Sequence, residues 1–189
     1  MSVVSWIITF SIFVFILEYS IVFINSGFFD YIALKPSYIF DGQYLWTLIS
    51  HMFVHANFLH LFVNMFVLFS LGSLCEKIIG RKRFFWFYII SGVCAGLISA
   101  LLSGFFGYGV GEKLFGSPDS YMVGASGAIF AIAGLFVVLL PHLRFSIIFL
   151  PFFSLPAFVM VPLVLFLTWG ISIWANLPIG NVAHFGGFL

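Results

Sequence analysis

The sequence predicts an all-α fold, a polytopic membrane helical bundle of six transmembrane helices that forms a single domain over residues 1–189. The first observation behind this prediction is composition: 63% of the residues are hydrophobic and 7% are charged, which leaves no polar face for water. The second is length, because 189 residues with a mean hydropathy of +1.22 have room for about six spans of roughly 20 residues with short loops between them.

Charge and cysteine usage exclude other classes of protein. The net charge of +1 provides no basic surface of the kind that binds a phosphate backbone, so nucleic acid is excluded as a partner. Cys75 and Cys94 both lie in apolar segments. We expect them to be small buried hydrophobic residues rather than a disulfide or a metal site.

The first span is predicted over roughly residues 3–24. This segment has no basic amino-terminal region and no small-residue cleavage site, so we expect a retained helix rather than a signal peptide. Glu18 lies inside it, and a carboxylate within a membrane span is a functional candidate by default. Because Glu18 belongs to no motif, we expect a structural role for it and leave it out of the predicted site.

The remaining spans are separated by connections that carry turn residues. They are predicted at roughly residues 58–75, 84–103, 125–140 and 155–174, with a sixth that begins near Val182. The sequence ends at Leu189, five residues after His184, whereas a spanning helix needs about 20 residues. We therefore expect the sixth helix to be truncated and the chain to be a shortened form of a longer protein.

Basic residues orient the predicted bundle. Five of them lie in the connections after the second and fourth spans: Lys77, Arg81, Lys82, Arg83 and Arg144. Cytoplasmic loops carry the excess of Lys and Arg, so these connections and the amino terminus are predicted to be cytoplasmic. Only Lys35 and Lys113 then remain on the outer side. The second, fourth and sixth spans all run from outside to inside.

Three polar clusters fall at the outer ends of these three spans. They are HMFVHANFLHLFVN at 51–64, GASG at 124–127 and AHFGG at 183–187. Each cluster begins a span that enters the membrane from outside. We therefore expect four polar residues to converge in the outer third of the bundle: His60, Asn64, Ser126 and His184.

These four residues match the requirements of acyl transfer. Ser126 at a helix start lies beside the positive end of the helix dipole. His184 is the candidate base, because a Ser–His pair within hydrogen-bond reach is the minimal activated nucleophile. His60 and Asn64, spaced i and i+4, share one helix face and can direct two hydrogen-bond donors at an oxyanion.

Other interpretations of the same residues stay open. Gly and Ser in membrane helices ordinarily serve packing, and His60 and Asn64 could form interhelical hydrogen bonds. The HxxxHxxxxH spacing at 51–60 could supply imidazole ligands to a metal enzyme, although such sites need more ligands than this chain offers. A transporter would need broken helices in matched halves, which the sequence does not show. A non-enzymatic protein of this fold would bind membrane clients without needing Ser126.

From about Gln43 to the end of the chain, the sequence resembles the rhomboid intramembrane serine proteases. The resemblance is carried by three ordered motifs: the spaced His, His and Asn of HMFVHANFLHLFVN, the nucleophile motif GASG, and HFGG with its sixth-helix histidine. It implies Ser126 as the nucleophile and His184 as the general base, a dyad without an acidic third member.

The resemblance also implies an oxyanion site, made by His60, Asn64 and the backbone N–H of Ser126. His51 and His55 match further positions of the family, and we interpret them as supports of the first loop rather than as part of the chemistry.

The sequence departs from the family pattern at three places. Trp46 is followed by Thr47 where the family often has Trp-Arg, and Phe130 stands where many members have a tyrosine. Phe130 can still stack on the ring of the base. The second glycine of the sixth helix would fall beyond Leu189. None of these departures removes a catalytic group.

The function implied by the resemblance is hydrolysis of peptide bonds at or just inside the outer membrane surface, with no metal or organic cofactor. The implied substrates are single-span membrane proteins with helix-breaking or small residues near the cleaved bond. The implied location is the plasma membrane of a prokaryotic cell, with a cytoplasmic amino terminus and an outward-facing active site. The alternative is a catalytically inactive rhomboid-like protein that binds membrane clients.

Overall fold

The computed structural model describes residues 1–147, 150–175 and 180–189. Its body consists of helices α1 (Val3–Ile24), α2 (Phe58–Ile79), α3 (Arg81–Phe106), α4 (Ser126–Leu139), α5 (Ala157–Ala175) and α6 (Asn181–Phe188). Of these, α1, α2, α3 and α5 are long and apolar enough to cross a membrane. The predicted multi-pass helical bundle is therefore confirmed. Length therefore identifies four of the six predicted spans. The other two helices are shorter, with 14 residues in α4 and 8 in α6.

The outer surface of the bundle is apolar. Phe23 is 93% exposed and Trp174 is 87% exposed, which suits side chains that face lipid rather than water. Cys94 also lies on the outside of α3, so the prediction of two buried cysteines is correct for Cys75 and wrong for Cys94. In a membrane helix, apolar neighbours do not distinguish a core position from one that faces lipid.

The core forms where α1, α2, α3 and α4 meet. Its buried large side chains are Ile7, Leu68, Phe84, Tyr88, Ile132 and Phe136. Within this core α2 contains a π-helical turn, Leu68–Gly72. A Cβ atom on Gly72 would lie 3.2 Å from Cγ2 of Val4 and 3.3 Å from Cζ of Phe84. The glycine therefore lets α1 and α3 approach α2 closely.

The start of α1 is tied to the end of α2. The N–H groups in the first turn of a helix have no partner within the helix. Here the Glu76 carboxylate accepts those of Val3 at 3.0 Å and Val4 at 2.9 Å, and the hydroxyl of Ser2 accepts that of Ser5 at 3.0 Å. These contacts fix the two helices at the end of the bundle that carries the basic residues.

A two-stranded antiparallel sheet precedes α5. Its strands are β1 (Arg144–Ile147) and β2 (Leu150–Pro156), with Arg144 opposite Pro156. The sequence prediction contained no strand here and began a helix at 155. The segment 144–156 contains two prolines and is otherwise rich in Phe, Ile and Leu, a composition that disfavours helix and suits strands.

The connection between α1 and α2 contacts the connection between α3 and α4. The one between α1 and α2 contains the short helical segments Ser26–Tyr31, Pro36–Phe40 and Thr47–Ser50, and the one between α3 and α4 contains Gly109–Gly111 and Glu112–Phe115. Leu34 and Met122 join them as an isolated antiparallel bridge. The Leu34 N–H donates to the Met122 carbonyl at 3.1 Å, and the Met122 N–H donates to the Leu34 carbonyl at 2.7 Å.

Glycines bring α4 and α6 into backbone contact. A Cβ atom on Gly187 of α6 would overlap the carbonyl group of Gly127 in α4, and one on Gly127 would lie 2.8 Å from Cβ of Ala95 in α3. Small residues permit this close approach of helices. The contact matters for the site because Gly127 follows Ser126 and Gly187 lies three residues after His184.

Candidate active site

Ser126 and His184 are brought together at one end of the bundle. Ser126 is the first residue of α4 and His184 lies in α6, and the Nε2 atom of His184 is 2.8 Å from Oγ of Ser126. This is an ordinary hydrogen-bond distance. With the Nε2 atom as acceptor, the pair has the geometry of a serine hydroxyl next to its base.

The ring of His184 is oriented mainly by packing. It packs against the ring of Phe130, one helical turn after Ser126, with 4.7 Å between ring centroids and the planes tilted by 31°. The Nδ1 atom is buried and has no hydrogen-bond partner within the described ranges. Phe130 therefore contacts the ring of His184, in a tilted rather than a stacked arrangement.

The backbone just before Ser126 lies against His60. Gly124 has φ of +119°, a conformation that side-chain-bearing residues rarely adopt. A Cβ atom at this position would lie 2.8 Å from both Cε1 and Nε2 of the His60 ring. The absence of a side chain at Gly124 thus allows the imidazole of α2 to reach the start of α4.

Asn64 is buried one turn after His60 on the same face of α2. Its Nδ2 atom donates to the carbonyl of His60 at 2.8 Å, which leaves one further amide N–H available as a donor. No hydrogen bond joins Asn64 directly to Ser126 among the residues that the structure covers. The backbone N–H of Ser126 is in the first turn of α4 and therefore has no acceptor within that helix.

His51 supports the site through its backbone, a role that the sequence did not reveal. Its carbonyl accepts the N–H of Gly124 at 2.8 Å. Its ring is buried, with Nδ1 2.8 Å from the Thr47 carbonyl, and packs against Gly96 of α3. Burial lowers the pKa of His51 to about 4, so the ring is neutral near pH 7. The motif HMFVHANFLHLFVN indicates that His51 is a candidate functional residue, but it does not predict the bond between its carbonyl and Gly124.

Two histidines of the first motif bond through their rings to backbone carbonyls nearby in the chain. The ring nitrogens of His51 and His55 meet the backbone carbonyls of Thr47 and Phe53. Over residues 1–147, 150–175 and 180–189, no three His, Cys, Asp or Glu side chains are close enough to hold a metal ion.

A comparison with known families identifies the chain. The model of the Rhomboid domain matches residues 42–189, which include all four residues of the predicted site. The chain belongs to the rhomboid family. The expectation that the sequence motifs raised is thereby confirmed at the level of the family.

The rhomboid relatives include a plant protein, a bacterial protein and a human mitochondrial protein. RHOMBOID-like protein 5 of Arabidopsis thaliana is 31% identical over 157 residues, which cover 83% of this chain and 45% of the relative. Rhomboid protease GlpG of Haemophilus influenzae is 26% identical over 160 residues, 84% of this chain and 72% of the relative. The human mitochondrial presenilin-associated rhomboid-like protein is 32% identical over 105 residues, 56% of this chain and 25% of the relative. The chain thus spans less than half the length of the first and third of these.

Proposed function

We propose that this rhomboid is a serine endopeptidase that hydrolyses peptide bonds of single-span membrane proteins near the outer membrane face. The observation that carries the proposal is the 2.8 Å contact between Ser126 Oγ and His184 Nε2 at the start of a helix. Membership of a family that contains a rhomboid protease supports it.

In the proposed reaction, the Ser126 oxygen attacks the carbonyl carbon of the cleaved bond while His184 takes the hydroxyl proton at Nε2. The tetrahedral intermediate collapses as the C–N bond breaks, and the protonated His184 returns that proton to the departing amine. Water then attacks the acyl-enzyme ester with His184 again as base. The second product leaves with a new carboxyl group, and the Ser126 hydroxyl is restored.

The proposed oxyanion site consists of the Ser126 N–H, His60 and Asn64. A donor directed at the oxyanion contributes about 10² to 10³ in rate. The contact between the His60 ring and the side-chain-free Gly124 supports this assignment for His60. For Asn64, the support is its position one turn further along the same helix face, with one amide N–H still free to donate.

The proposed topology has six spans, with α4 and α6 as the fourth and sixth. The amino terminus is cytoplasmic and the site faces outward, because the basic residues cluster after Ile79, at the opposite end of α2 from His60. We place the protein in the plasma membrane of a prokaryotic cell; a bacterial rhomboid protease is among its relatives. Substrates are expected to contain small or helix-breaking residues near the cleaved bond, since a helix hides its carbonyl groups in internal hydrogen bonds.

Labelling with a fluorophosphonate tests the dyad directly. Purified protein in detergent is compared with Ser126→Ala and His184→Ala. Ser91→Ala is the matched control, because among the described residues the Ser91 hydroxyl bonds only to carbonyls of its own helix. We expect labelling of the wild type and of the control and its loss in both dyad variants. Well-folded wild type that is not labelled would refute the proposal and favour a client-binding protein.

A further inference from the structure

Glu18 is a buried carboxyl group in the second half of α1. It is 4% exposed, and a buried carboxyl in a membrane helix is costly unless other contacts compensate. Its Oε1 atom accepts the backbone N–H of His55 at 3.2 Å. This bond joins α1 to the loop immediately before α2, across 37 residues of sequence.

His55 is held on both its backbone and its ring. The residue is 1% exposed, and its Nδ1 atom lies 3.2 Å from the carbonyl of Phe53. Because a carbonyl only accepts hydrogen bonds, Nδ1 is the nitrogen that carries the proton, and Nε2 of the neutral ring is an acceptor. The Glu18 bond to the backbone N–H therefore fixes a residue whose ring is already oriented.

The ring of His55 in turn packs edge-on against the ring of His60. Their centroids are 5.2 Å apart and the planes meet at 66°. The backbone of His60 is capped by Asn57, which accepts the His60 N–H at 2.9 Å. The described residues offer the His60 ring itself no hydrogen bond, so its orientation depends on packing between His55 and Gly124.

We infer that Glu18 is a positioning residue whose bond to His55 fixes the His60 ring against Gly124. The catalytic consequence rests on the proposed function, in which His60 donates to the oxyanion. Loss of the Glu18 bond leaves the nucleophile and base in place but releases a donor, so it should reduce turnover rather than substrate binding.

Two substitutions of Glu18 separate its hydrogen bond from its bulk. Glu18 and His55 line one cavity of about 420 Å³. The Oε2 atom of Glu18 and the Nε2 atom of His55 are both buried and have no hydrogen-bond partner in the described part of the chain. Glu18→Gln keeps an oxygen acceptor for the His55 N–H, whereas Glu18→Leu has none. Ser20→Ala is the control in the same helix, because within the described ranges the Ser20 hydroxyl bonds only to the Ile16 carbonyl.

The kinetic test is a double-mutant cycle with His60. We expect Glu18→Leu to lower kcat about tenfold with little change in KM, and Glu18→Gln and Ser20→Ala to stay within about threefold of the wild type. In a His60→Ala background, Glu18→Leu should have no further effect. An equal loss in both backgrounds would mean that Glu18 does not act through His60, and the inference would be wrong.

A second measurement does not depend on turnover. With ¹⁵N-labelled histidine, the protein contains five imidazoles, and a His60→Gln variant assigns the resonances of His60. We expect these resonances to shift or broaden in Glu18→Leu and to be retained in Glu18→Gln. Unchanged His60 resonances in Glu18→Leu would overturn the inference. If the wild type cleaves nothing while the shift is seen, the proposed function fails and the positioning role stands.

Discussion

The backbone carbonyl of His51 accepts a hydrogen bond from the N–H of Gly124 at 2.8 Å. This bond connects the loop before α2 to the residue two positions before Ser126. Together with the Leu34–Met122 bridge, it fixes the approach to the start of α4 from one side. The His60 ring lies against the same glycine, so Gly124 is the point where the first loop, α2 and α4 meet.

Gly124→Ala is expected to inactivate the site. The residue has φ of +119°, and a Cβ atom would lie 2.8 Å from the His60 ring. Either the ring or the start of α4 must therefore move. We expect the rate of fluorophosphonate labelling to fall by about 10²-fold.

The matched control for this variant is Gly170→Ala. Gly170 lies in α5, and a Cβ atom there meets nothing within 4 Å. This variant should label normally and gain up to about 1 kcal/mol in stability from helix propensity. Normal labelling of Gly124→Ala would contradict the assignment of His60 to the site.

Gly187→Ala is expected to separate α6 from α4. Its Cβ atom would overlap the carbonyl of Gly127, so the helix that carries His184 must shift. We expect slow labelling together with a lower melting temperature, since overpacking typically costs about 1–3 kcal/mol. Gly180→Ala serves as control because its Cβ atom would lie 3.9 Å from Ala183. A Gly187→Ala protein that labels at the rate of this control would show that the contact does not position the base.

Glu76→Gln is expected to lower stability without changing the reactivity of Ser126. The carboxylate accepts the N–H groups of Val3 and Val4. The amide of Gln is uncharged and has one oxygen, so one of these N–H groups loses its acceptor. Such a loss costs about 1–3 kcal/mol. Thermal unfolding in detergent measures it, with Glu112→Gln, at an exposed position, as the control. Equal melting temperatures for the two variants would contradict the proposed tie between α1 and α2.

Stability is expected to decrease as the pH falls from about 6.5 to about 4. Burial lowers the pKa of His51 to about 4, whereas the unfolded chain binds this proton near 6.5. Between these values the unfolded state holds more protons, so the free energy of unfolding falls by up to about 1.4 kcal/mol per pH unit. Burial also lowers the pKa of His55 to about 4, which adds in the same direction.

Melting temperatures at pH 7.5 and pH 5 test this expectation. His51→Gln should show a smaller difference between the two conditions than the wild type. His142→Gln, at an exposed position beyond α4, should keep the full difference. If His51→Gln keeps it as well, then His51 is not held neutral by burial.

The long helices were predictable because a continuous apolar run of about 20 residues is the main sequence signal of a membrane span. The first span was predicted at 3–24 and α1 is Val3–Ile24, while the fourth was predicted at 125–140 and α4 is Ser126–Leu139. The approach of His184 to Ser126 was predictable as well, because alternation of span direction brings the starts of even-numbered spans to one side.

Contacts between loops could not be predicted in this way. The Leu34–Met122 bridge and the bond from Gly124 to His51 use backbone groups, which every residue carries, so no pattern of side chains announces them. Strands β1 and β2 were missed because apolar residues next to a span resemble the span itself. Glu18 was noticed, but its partner is a backbone N–H 37 residues away.

Ser126 and His184 belong to helices made at different times. His184 follows Ser126 by 58 residues, so a ribosome adding about 5–20 residues per second completes the base about 3–12 s after the nucleophile. Under the proposed function, the newly inserted chain is inert throughout that interval. Under the same proposal, activity begins only when α6 docks on α4 through Gly187 and Gly127, so the docking of α6 is the step that turns the enzyme on.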